Sequence, residues 1–566
     1  MQTPADAQSE APGPGAGATL RRHAGRLWWI LTGLVLAIGI IGQIRVWASD
    51  RGFWNDELYI ALNIRGKSFP ALAGGLRYAQ VAPPGWLMGE QLIYKVLGGN
   101  EQVLKFPQLL AAMATLVLTV LICRRVVGPW AALGAAALMA LAPQLYYYAG
   151  ELKQYSVEAA AALVIIGAAG ITGELSRQGR LTRWRGLWLS AAVLLACAAS
   201  YSALIVVAGS LAGLIVVAAI NKARREALWT LRVMLPGLVL SGALAALRMH
   251  VTFLSNQDSF FPNGLPPENA GLGEIIRWLP RMWQGLVANP LRWDSPWLVL
   301  VLCLVGLAAM VARGKAVWAA ILVGVLGTAI GAAAVRGMPI EDRVALYLVG
   351  PMVIMVVAAF DGAIRALGRL NRRDDRVRRQ GLGVAAVALA LVVGLGGALM
   401  SLRPAAVAAY DQVTEPLYRD NARDVMRDVK NMLQPGDVVL VYDFSQPLAS
   451  WYGTEYKLPI VGLIGPVTGC DPSTIDVALG NADRVWYVRG ARLSYHPANF
   501  HAHVLAELTK RGTIVESKVY GEGDVFGSEP GWAIIDLTKA ADPNPPKPEP
   551  NTNPVYNCAA VTPDWR

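Results

Sequence analysis

The stretch that decides the fold runs from Leu27 to Trp47 and reads LWWILTGLVLAIGIIGQIRVW; ASDRGFWNDELYI follows at once, over residues 48–60. About 20 apolar residues in a helix cross roughly 30 Å of hydrocarbon. Arginines at positions 21, 22 and 26 precede the run. The run is too long for the apolar core of a signal peptide, so we interpret it as a membrane anchor.

Ten further apolar runs follow, and together they predict a polytopic α-helical membrane protein. The composition agrees, because 54% of the residues are hydrophobic and only 16% are charged, whereas soluble domains are about a quarter charged. The eleven predicted spans are about 27–47, 103–123, 130–148, 155–173, 186–200, 203–220, 232–249, 296–312, 316–335, 344–364 and 382–402.

The basic residues predict the orientation of these spans. Residues 1–403 carry 37 Lys and Arg against 20 Asp and Glu, whereas residues 404–566 carry 14 against 20. Arginine and lysine are enriched in cytoplasmic loops. Basic loops alternate along the chain at 124–125, 177–185, 222–225, 313–315 and 365–379. We therefore predict that the N-terminus is cytoplasmic and that residue 404 onward is extracytoplasmic.

Two loops on the predicted outer side are long, at 48–102 and 250–295. The first holds Pro83-Pro84 and an apolar stretch that ends at Leu97, too short to span, which predicts a helix lying at the membrane interface. The second is rich in tryptophan, which is typical of an interfacial aromatic belt. Loops of this length suit an enzyme at the membrane surface better than a channel or carrier.

The remaining segments divide into four regions. We predict a disordered cytoplasmic N-terminus at 1–24, a transmembrane domain at 25–403, a soluble α/β domain at 404–540 and a flexible tail at 541–566. Predicted strands of the α/β domain lie at 437–443, 484–489, 513–520 and 532–536, and helices at 415–433 and 498–511. In an extracytoplasmic domain, Cys470 and Cys558 can either form a disulfide or stay free.

Asp56 and Glu57, directly after the first span, form the most informative polar site. Adjacent carboxylates at a membrane face are costly unless they are solvated or used. They act either as part of an ordinary polar loop or as a general base or metal ligand.

Two more polar clusters fall on the same predicted face. At the end of the third span, Glu151 and Tyr155 share a helical face if the helix continues, and Lys153 can reach a phosphate at the depth of the lipid headgroups. At the start of the tenth span, Arg343 suits bidentate phosphate recognition. The alternative for Arg343 is a snorkelling side chain paired with Asp342.

The three clusters together match one chemistry, the transfer of a sugar from a lipid-linked phosphate to a hydroxyl acceptor. A carboxylate can take the proton of the acceptor, and cationic side chains can stabilise the leaving phosphate.

The first 400 or so residues resemble the GT-C superfamily of polyprenyl-phosphate-sugar-dependent glycosyltransferases, and most nearly the protein O-mannosyltransferase-like branch, glycosyltransferase family 39. The resemblance is carried by Asp56-Glu57, by QVAPPG at residues 80–85, by the Tyr-rich segment around Lys153, and by Arg343 opening a late span. It implies an inverting membrane enzyme whose donor is a polyprenyl-phosphate hexose or pentose.

The resemblance also implies roles for single residues. Asp56 matches the catalytic aspartate of the first loop, and Glu57 supports it or helps to hold a metal. Lys153 and Arg343 match basic residues near the donor phosphate, and Glu151 matches a second acidic position. Two further substrate-binding candidates are Tyr155 and Gln80. No cofactor is certain, and a divalent metal stays open because branches differ in metal use.

The resemblance leaves the acceptor open among a glycan, a lipid and a protein. The sequence has no β-trefoil insertion of the kind found in eukaryotic protein mannosyltransferases. The resemblance implies a location in the bacterial cytoplasmic membrane with the active site outside. The alternatives are a transporter or flippase of a lipid-linked glycan, which predicts charged side chains in mid-span, and an inactive assembly subunit.

Overall fold

The protein is described here by a computed structural model. It describes residues 16–251, 261–370, 396–397, 400–417, 422–465, 472–490, 500–520, 530–541 and 560–561. Cys470 and Cys558, the predicted disulfide candidates, lie outside these residues. So does most of the predicted tail at 541–566, of which Ala560 and Val561 form a short strand.

The described residues up to 370 form helices joined by loops and short 3₁₀ turns. In chain order the helices are α1 (Ala16–Trp47), α2 (Asn55–Gly66), α3 (Pro84–Leu97), α4 (Glu101–Val126), α5 (Pro129–Ala140), α6 (Pro143–Ala149), α7 (Tyr155–Arg177), α8 (Arg183–Ala198), α9 (Ala203–Ile220), α10 (Arg224–Val251), α11 (Leu272–Ala288), α12 (Pro296–Ala312), α13 (Ala316–Ala334) and, after a 3₁₀ turn at Asp342–Leu348, α14 (Val349–Leu370).

Seven segments within the described residues are long and apolar enough to cross a membrane: Arg26–Trp47, Glu101–Val126, Tyr155–Arg177, Ala203–Ile220, Arg224–Leu247, Ala316–Ala334 and Asp342–Ala366. Two shorter apolar helices are α5 and α12. Each of the nine overlaps one of the eleven predicted spans. The prediction of a polytopic helical membrane protein with a C-terminal sheet domain is thereby confirmed.

Two predicted segments differ from the structure, and a third is largely untested. The span at 130–148 is two helices, because Pro143 has no N–H for the helix before it and instead begins α6. The span at 382–402 lies largely outside the described residues. α1 already begins at Ala16, within the segment 1–24 predicted to be disordered, and its Ala-rich start is a good helix former.

The ends of the helices form two faces, and one of them is basic. There the Glu174 carboxylate accepts hydrogen bonds from Arg125 at 2.8 Å, Lys315 at 3.0 Å and the indole of Trp318 at 2.9 Å. These contacts join the end of α4, the end of α7 and the start of α13. The loops at 124–125 and 313–315, which the sequence assigns to one side, therefore share one face, called the basic face below.

The opposite face, called the site face, carries the first long loop. Its helix α3 buries Trp86 and Leu87 and exposes Leu92 and Val96 by 58% and 69%. A short helix with one apolar side uncovered fits the interfacial position that the sequence predicts.

Glu90 of α3, on the site face, makes the stability of the folded protein depend on pH. The side chain is 1% exposed and accepts a hydrogen bond from Gln108 of α4, at 2.8 Å. Burial raises the pKa of Glu90 from 4.5 to about 8. The folded protein therefore holds this proton up to about pH 8, whereas the unfolded chain releases it near 4.5. The contribution of this proton to the stability of the folded protein is complete below pH 4.5 and is lost as the pH rises to about 8.

We expect the Glu90→Gln variant to be more stable than the wild type at pH 8, by a few kcal/mol at about 1.4 kcal/mol per pKa unit. At pH 5 the two proteins should differ much less. Thermal unfolding in detergent at the two pH values measures this, with the exposed Glu415→Gln as control. Equal pH dependence of wild type and Glu90→Gln would contradict the assignment.

The tryptophans of the second long loop are mostly core residues, so the predicted aromatic belt is wrong for three of the four. Trp278, Trp283 and Trp293 are 2%, 5% and 5% exposed, and only Trp297 is half exposed. The indole N–H groups of Trp278 and Trp283 donate to backbone carbonyls. Amphipathic α11 points its aromatic side inward, which a count of tryptophans does not reveal.

The C-terminal part contains helices α15 (Arg403–Thr414), α16 (Ala422–Met432), α17 (Pro472–Leu479) and α18 (Phe500–Thr509), with a short helical segment at 446–456. The strands are β1 (Val438–Tyr442), β2 (Ile460–Ile464), β3 (Arg484–Arg489), β4 (Thr513–Val519), β5 (Gly531–Asp536) and β6 (Ala560–Val561). They form one sheet in the order β4-β5-β3-β1-β2-β6. Strand β1 lies parallel to β2 and β3, and β5 lies antiparallel to β3 and β4.

The sheet domain and the first loop share one hydrophobic core. Phe53 and Leu58 of the loop pack in the same cluster as Met426, Trp451 and Trp486 of the sheet domain. All five side chains are at most 3% exposed. The C-terminal domain is therefore seated directly on the segment that carries Asp56.

Candidate active site

Asp56 and Glu57 stand side by side in the first turn of α2, but their surroundings differ. The Glu57 carboxylate accepts hydrogen bonds from the backbone N–H of Leu152 at 2.6 Å and of Trp54 at 3.2 Å, and it lies 3.5 Å from Lys105. The Glu57 side chain is 2% exposed, whereas that of Asp56 is 29% exposed. Glu57 thus caps the helix and binds protein groups, and Asp56 is the accessible carboxylate.

Lys153 is the contact of Asp56 across the site. Its ammonium lies 3.6 Å from the Asp56 carboxylate and 3.0 Å from the Gln80 side-chain oxygen. Burial lowers the pKa of Lys153, and the Asp56 charge opposes that shift. The three predicted residues Asp56, Lys153 and Gln80 are therefore together.

Lys153 lies in a turn and not on a helix, because α6 ends at Ala149 and α7 begins at Tyr155. The predicted shared helical face of Glu151 and Tyr155 is wrong. Arg51 explains the break, because its guanidinium donates to the Gly150 carbonyl at 2.6 Å. A Cβ at position 150 would lie 2.5 Å from that guanidinium.

The carboxylate of Glu151 is 2% exposed and accepts a hydrogen bond from the Tyr147 hydroxyl. This contact ties the turn to α6. Glu151 is thus placed as a support of the turn that presents Lys153.

Arg343 follows Asp342 in the 3₁₀ turn before α14, with its guanidinium carbon 6.0 Å from the centre of the Tyr155 ring. Its Nε is buried without a hydrogen-bond partner. Within the described parts of the chain, no carboxylate lies within 4 Å of this guanidinium, yet its charge interacts at longer range with those of Asp56 and Asp342. Arg343 is thus a cation at the site that no protein carboxylate neutralises directly.

The predicted alternative for Arg343, a pair with Asp342, is not formed. Asp342 accepts a hydrogen bond from the Asn289 side chain at 2.7 Å, and Asn289 in turn accepts one from Gln144 at 2.8 Å. Asp342 has a positive φ of 52°, a conformation that costs energy for a residue with a side chain. The network therefore holds a strained turn that orients Arg343.

Sequence reasoning missed Lys105 and the Asn289 network. Lys105 is 2% exposed in the first turns of an apolar helix, and a buried lysine in such a run is a signal of a buried ion pair. Asn289 carried no signal, because its partners are distant in the sequence.

Asp56 and Glu57 do not fit a shared divalent metal, because the carboxylate oxygens of Glu57 are already bound to backbone N–H groups and faced by Lys105. Among the described residues, no group of three or more His, Cys, Asp or Glu side chains is arranged to hold a metal.

The fold and the site define a polytopic helical membrane protein with a mixed-charge site at one face and an α/β domain packed against the loop that carries Asp56. Among solved structures, the chain is similar to ArnT from Cupriavidus metallidurans in the apo state, at 15% identity and a TM-score of 0.47, over 92% of this chain and 100% of that one. It is also similar to the oligosaccharyltransferase AglB from Archaeoglobus fulgidus in complex with an inhibitory peptide and a dolichol-phosphate, at 12% identity and a TM-score of 0.42, over 81% and 69%.

The same Cupriavidus ArnT bound to undecaprenyl phosphate is similar at 14% identity and a TM-score of 0.42, over 91% of this chain and 98% of that one. No protein-family model matches the sequence, and no curated protein matches it. Identities and TM-scores this low carry no conclusion about activity.

Proposed function

We propose that the protein is a membrane glycosyltransferase of GT-C type that moves a sugar from a polyprenyl-phosphate donor to a hydroxyl acceptor, with inversion at the anomeric carbon. The observation that carries the proposal is Arg343, a partly buried guanidinium with a buried, unbonded Nε and no carboxylate within 4 Å among the described residues, in one site with Lys153 and Asp56. A buried cation is costly unless an anion compensates it. The phosphate of the donor supplies that anion.

In the proposed reaction the donor phosphate binds between Lys153 and Arg343. It competes with Asp56 for the Lys153 ammonium, and the Asp56 carboxylate becomes available to the acceptor hydroxyl. The hydroxyl oxygen attacks the anomeric carbon as its proton passes to Asp56. The bond from the anomeric carbon to the phosphate oxygen breaks, and its electron pair leaves with the polyprenyl phosphate, whose charge both cations stabilise.

Gln80 and Tyr155 have supporting roles in this proposal. Gln80 accepts a hydrogen bond from Lys153 and so fixes the direction of the ammonium. The Tyr155 ring faces the Arg343 guanidinium, and a cation held over a ring keeps a defined position. The proposed location is the bacterial cytoplasmic membrane with the site extracytoplasmic, and the acceptor is a glycan, a lipid or a protein.

The position of buried charges favours an enzyme over a transporter. A carrier needs charged side chains at mid-depth along the transport path. Among the described spans, the buried charged residues lie near the ends of the spans: Lys105 is the fifth residue of α4, Glu158 is the fourth of α7, and Asp361, five residues before the end of the span Asp342–Ala366, pairs with Arg313 on the basic face.

Transfer of labelled sugar by the purified wild-type protein tests the proposal. A panel of polyprenyl-phosphate hexoses and pentoses is offered with native membrane extract as the source of acceptor, and nucleotide sugars serve as negative donors. We expect one polyprenyl-phosphate sugar to be consumed and its label to appear on an acceptor. Movement of an intact lipid-linked glycan across vesicles, with no donor consumed, would overturn the proposal in favour of a transporter.

A further inference from the structure

Two side chains of the C-terminal domain, Tyr452 and Arg423, bind the backbone and side chains of residues 50–53, just before Asp56. The Tyr452 hydroxyl accepts a hydrogen bond from the Phe53 backbone N–H at 2.8 Å and donates one to the Glu101 carboxylate at 2.9 Å. Arg423 donates to the Asp50 carboxylate at 2.9 Å and also to the Asp50 carbonyl. The side chain of Arg423 is 8% exposed and Tyr452 is 1% exposed, so both residues of the C-terminal domain are buried, whereas the Asp50 side chain is 61% exposed.

The contact between the C-terminal domain and residues 50–53 is close-packed as well as polar. A Cβ at Gly52 would lie 2.7 Å from the Arg423 Cβ and 3.3 Å from the Tyr452 hydroxyl, so the glycine permits the approach. The ring of Phe53 packs edge-on against Trp451, with ring centres 5.6 Å apart. Residues 50–53 are therefore fixed along their whole length by the C-terminal domain.

The transmembrane part contacts the same residues from the other side. The Lys105 ammonium donates to the Arg51 carbonyl at 3.0 Å and lies 3.5 Å from the Glu57 carboxylate. Glu101, which accepts from Tyr452, also lies 3.6 Å from Arg423. Both Lys105 and Glu101 belong to α4, so α4 and the C-terminal domain hold residues 50–53 between them.

This segment ends where the proposed catalytic helix begins. Only Trp54 and Asn55 separate Phe53 from Asp56, and the Trp54 carbonyl accepts the first hydrogen bonds of α2. A shift of residues 50–53 therefore changes the position of the first turn of α2. A misplacement of about 1 Å at a reacting group can cost on the order of 10² in rate.

We infer that Tyr452 and Arg423 are positioning residues for Asp56, and that through them the C-terminal domain sets the geometry of the transfer step. The inference rests on the proposed function for its effect on rate, whereas the stabilisation of residues 50–53 by the C-terminal domain can be measured without any activity. Neither residue touches the proposed donor, so the expected effect is on kcat and not on donor binding.

Hydrogen exchange measures directly how strongly the C-terminal domain stabilises residues 50–53. In Tyr452→Phe the ring stays and both hydrogen bonds of the hydroxyl are lost, so amides in a peptide covering residues 50–57 should exchange at least tenfold faster than in the wild type. The matched control is Tyr456→Phe, because the Tyr456 ring lies 6.0 Å from that of Tyr452 and its contact is the Lys430 ammonium of the same domain. Unchanged exchange in Tyr452→Phe overturns the inference, whatever the activity.

Kinetics then separate positioning from mere stability. We expect Tyr452→Phe to lower kcat about 10- to 100-fold with donor KM within twofold, and Tyr456→Phe to match the wild type. Arg423→Met should behave like Tyr452→Phe, and Arg423→Lys should recover part of kcat because an ammonium can still reach Asp50.

Each outcome decides between the two proposals. A fall in kcat for Tyr452→Phe, measured below its unfolding temperature, supports the inference. Faster exchange with unchanged kcat overturns the positioning role and leaves the proposed function intact. If the wild type transfers no sugar, the proposed function fails, and exchange alone decides whether the C-terminal domain fixes residues 50–57.

Discussion

The Asp56→Asn variant is expected to lose sugar transfer by about 10²- to 10⁴-fold, the usual contribution of a general base. The amide has nearly the same shape but cannot accept the proton of the acceptor hydroxyl. Because the Asp56 side chain is 29% exposed and its one ion-pair contact among the described residues is Lys153 at 3.6 Å, the substitution should leave the fold intact. Donor affinity should be kept or raised, since Lys153 is released to the phosphate.

Glu57→Gln is the comparison that separates the two adjacent carboxylates. Glu57 is buried against Lys105 and two backbone N–H groups, and removal of one partner from a buried ion pair costs about 3–5 kcal/mol. We therefore expect a lower unfolding temperature for Glu57→Gln and little change for Asp56→Asn. Initial rates and thermal unfolding in the same detergent measure both. Full activity in a folded Asp56→Asn protein would show that Asp56 is not the base.

The spans were predictable from the sequence because membrane helices are specified locally, by the length and apolarity of a single run. The helix at Pro84–Leu97 was predictable for the same reason, since its two prolines and its length appear in the sequence. Strand β2 was not predicted, because a five-residue strand with a glycine at its centre gives almost no period.

The composition of the site was partly predictable, but its geometry depends on long-range contacts. The sequence pattern placed Glu151 and Tyr155 on one helix, whereas the contact of Arg51 with Gly150 makes a turn there. Without the family resemblance the pattern does not distinguish Asp56 from Glu57, because the partner of Glu57, Leu152, lies 95 residues away. Contacts of this kind are absent from any local window of sequence.

The same limit explains why the contact of the C-terminal domain with the first loop was not predicted. Tyr452 is 399 residues from its partner Phe53, and it stands in a segment with no strong period. A tyrosine there is typical of a domain core. Only the fold shows that this core continues into the first loop and so reaches Asp56.

The Arg343→Met variant is expected to lower transfer by about 10²- to 10³-fold, the usual loss when one preorganised group that stabilises developing charge is removed. Donor KM should rise as well, since the guanidinium binds the phosphate before the reaction. Arg343→Lys should recover only part of the rate, because an ammonium keeps the charge but loses the planar fork that binds two phosphate oxygens. Arg277→Met, at an exposed arginine of α11, is the control.

Thermal stability distinguishes a phosphate-binding arginine from a structural one. An arginine that holds the fold has carboxylate partners, and its loss leaves them buried and unpaired. Within the described residues Arg343 has no such partner, and its buried Nε makes no hydrogen bond. Arg343→Met should therefore keep or raise the unfolding temperature while activity falls, as is typical where a functional group is held at a cost in stability. A fall in stability with unchanged transfer would assign Arg343 to the fold and remove the main support for a phosphate site.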